Sequence, residues 1–241
     1  GPGNNGGDGV ACARQLLEAG FEVRCVLVGS HEKMTQDTRA MEAKLAAAGG
    51  KLEPFQPDDA EFAAWCLEAN VMVDALFGIG LNSDIRGDAL TAVHMMNTCD
   101  IPVVSADIPS GVETDTGRVL GEAVRAARTV TFTLPKAGHY VGKGGLCTGA
   151  LTVADIGIPK DLVDALDCPV STVEAAGVKL PRRPLDAHKG DFGRCAILGG
   201  CVGYTGAPVL AAQAAVRSGA GLVSVGVPTP IWAVAAAKLD E

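Results

Sequence analysis

The chain has 241 residues, enough for one large or two small domains. With 48% hydrophobic and 20% charged residues, its composition lies well outside the disordered class. A formal net charge of -8 repels a phosphate backbone and an anionic membrane surface alike, which argues against nucleic-acid and membrane partners, although one local loop can still hold a nucleotide.

The eight cysteines (Cys12, Cys25, Cys66, Cys99, Cys147, Cys168, Cys195 and Cys201) include no C-x-x-C pair. Most sit in apolar runs, where a thiol behaves as a small hydrophobe. The expectation is free thiols in a reducing cytoplasm, with neither disulfides nor a cysteine metal site. No apolar stretch reaches membrane-spanning length. The chain opens Gly1-Pro2-Gly3 without an initiator Met, so residues are expected ahead of it.

In chain order, helical spacing predicts a helix over residues 9–19, ended by Gly20. Residues 22–28 read as a strand and residues 35–48 as a helix closed by Gly49-Gly50. Asp58 is a plausible N-cap for a helix over 58–69. Residues 71–76 and 102–106 are buried strands, and 128–134 and 151–156 are further strands. Continuous apolar strands alternating with helices predict an α/β fold with a parallel sheet covered on both faces. The alternation breaks down over residues 159–187, which hold one short helix candidate, KDLVDAL, and then a polar, Pro-bearing stretch read as a linker. A new strand–helix–strand unit follows (RCAILGG, APVLAAQAAVRSG, LVSVGVP), too small to enclose a full α/β core.

Four polar stretches sit where an open α/β sheet binds ligands, beyond the carboxyl ends of its strands. The opening GPGNNGGDG holds a literal G-x-G-x-x-G, but no acidic residue closes the strand 22–28, so the dinucleotide fingerprint fails one of its own tests. What remains is a cluster of Asn4, Asn5, Gly6, Gly7 and Asp8 at a helix N-terminus, suited to an anion. The bland alternative is a tight turn with Asp8 as a helix cap. Asp74 interrupts an apolar strand, and a buried carboxylate needs a hydrogen-bonding partner or a cation. Asp107-Ile-Pro-Ser110-Gly follows the strand PVVSA, and Ser110 could equally bond its own turn. Lys136 and His139 lie in LPKAGH after TVTFT, and each could instead be an ordinary surface residue.

Taken together, GPGNNGGDG, DALFGIGLNSDIRG, VVSADIPSGVETDTG and TFTLPKAGH resemble the NAD(P)H-hydrate epimerase (YjeF N-terminal) family, in its order and about its spacing, over residues 1–158. Residues 188–241 resemble the opening of the ADP- or ATP-dependent NAD(P)H-hydrate dehydratases. The resemblance implies a Rossmann-like three-layer α/β/α epimerase domain and a partial ribokinase-like α/β domain. It implies epimerisation of the R and S hydrates of NADH and NADPH, and in the full-length protein ADP- or ATP-driven dehydration. It implies substrate contacts from Asn4, Asn5, Gly6, Gly7, Asp8, Gly78, Ile79, Gly80, Leu81, Asn82, Ser83, Asp84 and Asp107, and from Ala207 in the second domain. Asp107 and Lys136 are the implied catalytic residues, Asp107 the stronger of the two. Asn5, Asp74 and Ser110 match potassium ligands. The family's first strand and the helices before it are not in this sequence, nor are the later nucleotide loops of the dehydratase. The rival readings are a non-catalytic binding module of the same fold, expected to lose its polar pocket residues, and an NAD-dependent oxidoreductase. A homo-oligomer is compatible with the sequence.

Overall fold

In a computed structural model, every residue is described except Pro169, Glu174, Leu180, Pro181, Asp240 and Glu241. Residues Gly1–Ser171 form one compact unit and Thr172–Glu241 another. The division falls inside 159–187.

The first unit opens with helix α1 (Asn4–Glu18), followed by strand β1 (Cys25–Leu27), α2 (Gln36–Ala47), β2 (Leu52–Pro54) and α3 (Ala60–Glu68). Then come β3 (Met72–Asp74), α4 (Asp88–Thr98), β4 (Val103–Ala106), β5 (Arg128–Phe132), α5 (Gly144–Cys147), β6 (Ala150–Ala154) and α6 (Lys160–Asp164). All ladders between these strands are parallel. β1 pairs with β2, while β3, β4, β5 and β6 form a four-stranded sheet in that order. The α/β expectation with parallel sheets therefore holds.

Helix α1 begins five residues before the predicted start, so the glycine-rich opening is its first turns rather than a loop. The reason is packing. A Cβ on Gly6 would lie 1.7 Å from the Gly1 carbonyl oxygen, and one on Gly7 3.0 Å from Thr38 Oγ1 on α2. Glycine lets α1 lie directly on α2 despite its poor helix propensity. The first-turn cap is Gly3, with no side-chain cap bond, so Asp8 is not a cap. Helix α3 is capped by Asp59, whose carboxylate accepts from Glu61 N, not by Asp58. Helix α4 went unread in the sequence, yet Ala89, Ala92, Val93 and Met96 fall at helical spacing and pack into one core with Leu76, Val103 and Val124. Val93 and Val124 are fully buried, each worth about 1.5–3 kcal/mol relative to exposure. A second core joins Val10, Ala13 and Leu45 beneath β1 and β2.

The strands end sooner than their apolar runs. Strand β3 stops at Asp74, and β5 at Phe132 instead of residue 134. Between β1 and β3 lies an apolar cleft of about 690 Å³, lined by residues that include Val26, Val28, Val71 and Val73. Among the described residues, β1 pairs only with β2 and β3 only with β4, so neither pairs across this cleft. All eight cysteines are free thiols. No described helix is long and apolar enough to cross a membrane.

The second unit pairs β7 (Arg194–Leu198) with β8 (Leu222–Gly226) in parallel, with α7 (Gly206–Ser218) between them in sequence and α8 (Trp232–Ala236) after them. Pro208, Val209 and Ala212 of α7 are buried, as are Ile231 and Ala235. Leu198, Leu210 and Trp232 stay exposed, the pattern of a small core covered on one side.

Candidate active site

The site is built at the carboxyl edge of the four-stranded sheet, where β3 ends in Asp74, β4 is followed by Asp107 and β5 carries Thr131 next to its last residue. Asp74 closes β3 and is fully buried. Its Oδ1 accepts from Leu76 N (3.2 Å) and Ser110 Oγ (2.6 Å), and its Oδ2 from Ser105 Oγ (2.8 Å) and Ser110 N (2.8 Å). Burial still pushes the Asp74 carboxyl above its ordinary range, against the pull of those bonds. Hydrogen bonding therefore already satisfies much of what the sequence reading asked of a cation.

Asp107 immediately follows β4. Its backbone is left-handed, with φ 66°, a conformation that costs a non-glycine residue of order 1–3 kcal/mol and clusters at functional sites. Asp107 N donates to Val130 O (2.8 Å), and Ile108 N donates to Ala106 O (2.9 Å) across it, closing a γ-turn. The Oδ1 atom accepts from Lys136 Nζ (2.5 Å), Thr131 Oγ1 (3.0 Å) and Phe132 N (3.4 Å). Among the described residues, no hydrogen bond reaches Oδ2. One carboxylate oxygen is thus pinned by three donors.

Lys136 is not the loosely held surface lysine that its sequence allows. Its ammonium uses its three donors on Asp107 Oδ1, Thr131 Oγ1 (2.8 Å) and Phe132 O (3.2 Å), and its side chain is 20% exposed. The loop that carries it is fastened by Gly138, whose N donates to Thr114 O at 2.6 Å; a Cβ there would lie 2.6 Å from Glu113 O. His139 is likewise no surface residue, at 3% exposure. Burial lowers its pKa, and the neighbouring Lys136 charge acts in the same direction, against Asp107.

From α1, Asn5 Nδ2 donates to Phe77 O (2.9 Å), while its Oδ1 is buried without a partner among the described residues. Phe77 N donates to Ser110 Oγ (2.9 Å), which ties Asn5, Phe77, Ser110 and Asp74 into one cluster. The 78–84 loop meets this cluster at Gly78, where a Cβ would lie 3.3 Å from Asn5 Cβ. Thr114 Oγ1 donates to Ile79 O (3.4 Å). Ile79, Gly80, Asn82, Ser83 and Asp84 are exposed, while Leu81 packs toward the core. Asp8 reaches solvent, yet enough protein surrounds its carboxyl to raise its pKa, and the charge of Asp107 adds to the shift. Gly6 and Gly7 are buried and hold α1 in place. Ala207 lies exposed in the first turn of α7, in the other unit.

Sequence reasoning missed Ser105, Thr131 and Thr114. Thr129 and Thr131 are both fully buried on β5; their period-two spacing in TVTFT was the available signal. Among the described residues, no cluster of three or more His, Cys, Asp or Glu side chains is placed to hold a metal. Asn5 Oδ1, buried without a partner among the described residues, is linked through Phe77 to Ser110 and Asp74, and oxygen donors of this kind are chemically compatible with a hard monovalent cation.

The family described as YjeF-related protein N-terminus matches residues 1–138. The chain belongs to this YjeF-related family. A second family, described as NAD(P)H-hydrate dehydratase, matches residues 195–241. Among curated relatives named bifunctional NAD(P)H-hydrate repair enzyme Nnr, the one from Moorella thermoacetica is 41% identical over 100% of this chain and 46% of its own length. The Salinibacter ruber protein is 39% identical over 99% of this chain and 47% of its own length. The YjeF-related chain thus spans about half the length of these relatives. The crystal structure of yeast ynu0 matches 75% of this chain and 74% of its own at a TM-score of 0.57, with 25% identity. The YjeF-related fold is therefore shared with a solved structure.

Proposed function

We propose that the first unit is an epimerase that interconverts the R and S hydrates of NADH and NADPH. The observation that carries this reading is the Asp107–Lys136 pair, held at the sheet's carboxyl edge, with no hydrogen bond on Asp107 Oδ2 among the described residues. The hydrate bears a hydroxyl on C6 of the dihydronicotinamide ring, a carbon that also bonds to the ring nitrogen. In one route a proton reaches that hydroxyl, the C6–O bond breaks as the nitrogen lone pair fills in, and water leaves. Water then adds to the other face and gives its proton back to the protein. In the other route the N–C6 bond breaks and re-forms. Both need one proton delivered and one recovered near C6. Asp107 would take up and return that proton through Oδ2, with the Lys136 ammonium hydrogen-bonded to Oδ1 beside it.

The residues of α1, with the 78–84 loop, would bind the nucleotide. The first-turn N–H groups of α1 face no intrahelical acceptor and suit its phosphates. Potassium would be held by Asn5, Asp74 and Ser110, where it would supply positive charge beside the anionic substrate. The second unit is read as part of a dehydratase that uses ADP or ATP in the full-length protein, with Ala207 near its substrate. The polar set Asn5, Asp74, Asp107, Ser110 and Lys136 favours an enzyme over a binding module. The test is incubation of the chain with separate R and S hydrates, with interconversion followed by chromatography. No rate above that without protein would refute the reading.

A further inference from the structure

His139 makes two side-chain hydrogen bonds, and both end on the backbone of the residues read as the acid–base pair. Lys136 N donates to its Nδ1 (3.0 Å), and its Nε2 meets the carbonyl oxygen of Asp107 at 2.8 Å. A backbone N–H can only donate and a carbonyl can only accept. The ring is therefore neutral, with its proton on Nε2; neither the other tautomer nor the imidazolium makes both bonds. His139 N also donates to Lys136 O (3.1 Å), which closes the 3-10 turn Ala137–His139 on the lysine.

The Asp107 peptide needs such a partner. Its carbonyl belongs to the residue whose φ is 66° and whose γ-turn is held by one backbone bond, from Ile108 N to Ala106 O. A strained turn keeps its shape only while its surroundings over-determine it. Lys136 Nζ fixes the Asp107 carboxylate from the side-chain end, and His139 fixes the same residue from the backbone end. Lys136 is gripped at both ends too, by Asp107, Thr131 and Phe132 at Nζ and by His139 at N. The ring is 3% exposed, so substrate does not reach it.

We propose that His139 is a positioning residue that clamps the Asp107 and Lys136 backbones in register, so that Lys136 Nζ stays on Asp107 Oδ1 and Asp107 Oδ2 is held toward the reacting carbon. This rests on the acid–base reading of that pair. Displacing a catalytic group by about 1 Å can cost on the order of a hundredfold in rate.

The test compares His139→Leu, His139→Asn and His139→Gln with the parent chain. Asn can still accept from Lys136 N, Gln can still donate to Asp107 O, and Leu does neither. The expected result is a kcat lower by roughly ten- to a hundredfold in the leucine variant, with KM within about threefold and smaller losses for Asn and Gln. Hydrogen exchange of the Lys136 and Ile108 amides should quicken in the leucine variant while the β4–β5 ladder stays protected. If the leucine variant does not fold, the Asn and Gln variants carry the same comparison, each losing one bond. Parent-like kcat in all variants that fold overturns the proposal. So does a 15N spectrum showing the ring protonated on Nδ1 at neutral pH. A parent chain inactive on both hydrates, with the exchange pattern as expected, would instead refute the epimerase reading and leave the clamp standing.

Discussion

Asp107 and Thr133 are structural twins: each is the first residue after its strand, on neighbouring strands β4 and β5, with φ of 66° and 63°. Each is spanned by a bond from the residue after it to the residue before it, Ile108 N to Ala106 O at 2.9 Å and Leu134 N to Phe132 O at 2.7 Å. The two turns reverse the chain sharply at the strand ends and bring Asp107 and Lys136 together. They differ in consequence, because Thr133 Oγ1 is buried without a hydrogen-bond partner among the described residues. Thr133→Gly removes a left-handed β-branched residue and an unsatisfied hydroxyl, offset by glycine's extra chain entropy. The variant should be more stable by about 1 kcal/mol, read as a higher urea midpoint at unchanged slope. A lower midpoint would mean that Thr133 holds the turn together.

Asp107→Asn keeps the shape of the side chain and removes the titrating proton. Interconversion of the hydrates should fall by about two to four orders of magnitude while the variant still folds. Lys136→Met should also lose rate, since it leaves Asp107 Oδ1 without its ammonium, but by a smaller factor. Steady-state kinetics on both variants decides the order. If Lys136→Met is the more damaged, the lysine carries the proton and Asp107 supports it.

His139 is held neutral in the folded chain, with its pKa below the ordinary value of 6.5. Between the two values the unfolded chain binds more protons, so acid favours unfolding. The stability from this residue is complete above about pH 6.5 and falls as the pH drops through that value toward the lower folded one. The difference in unfolding free energy between the parent and His139→Gln should therefore shrink from pH 7.5 to pH 5. Asp8 acts in the opposite sense in both proteins, so it cancels from this comparison. A difference independent of pH would show that the ring does not titrate with unfolding.

Potassium should raise the thermal midpoint relative to a bulky organic cation at equal ionic strength, as any ligand that binds only the folded state does. Asp74→Asn should abolish the difference. Equal midpoints, with equal activity in the two salts, would remove the cation from the site.

Much of the architecture could be read from residues 71–76, 102–106, 128–134 and 151–156, because continuous apolar runs separated by helices signal a buried parallel sheet. Strand ends were over-read because Thr133 continues the β-branched pattern of β5 into a turn that no propensity marks. The start of α1 was misplaced because Gly6 and Gly7 read as a loop when considered alone; their reason, contact with Gly1 and Thr38, exists only in three dimensions. The site's polar residues were visible one by one. That Lys136 and His139 turn inward was not, since a lysine and a histidine in a loop look alike whether they face water or Asp107. That contact spans 29 residues for the lysine and 32 for the histidine.

The cleft between β1 and β3 separates the two sheets of the first unit. Helix α1 touches both: Val10 and Ala13 share a core with Leu45 of α2 beside β1 and β2, and a Cβ on Gly9 would lie 2.5 Å from Ala75 Cβ, just past β3. Asn5 reaches across at Phe77, and Gly1 N at Ala75 O (2.9 Å). The placement of Asn5 therefore depends on how α1 packs against both sheets at once, so a packing change beside β1 or just past β3 reaches the oxygen cluster through one helix.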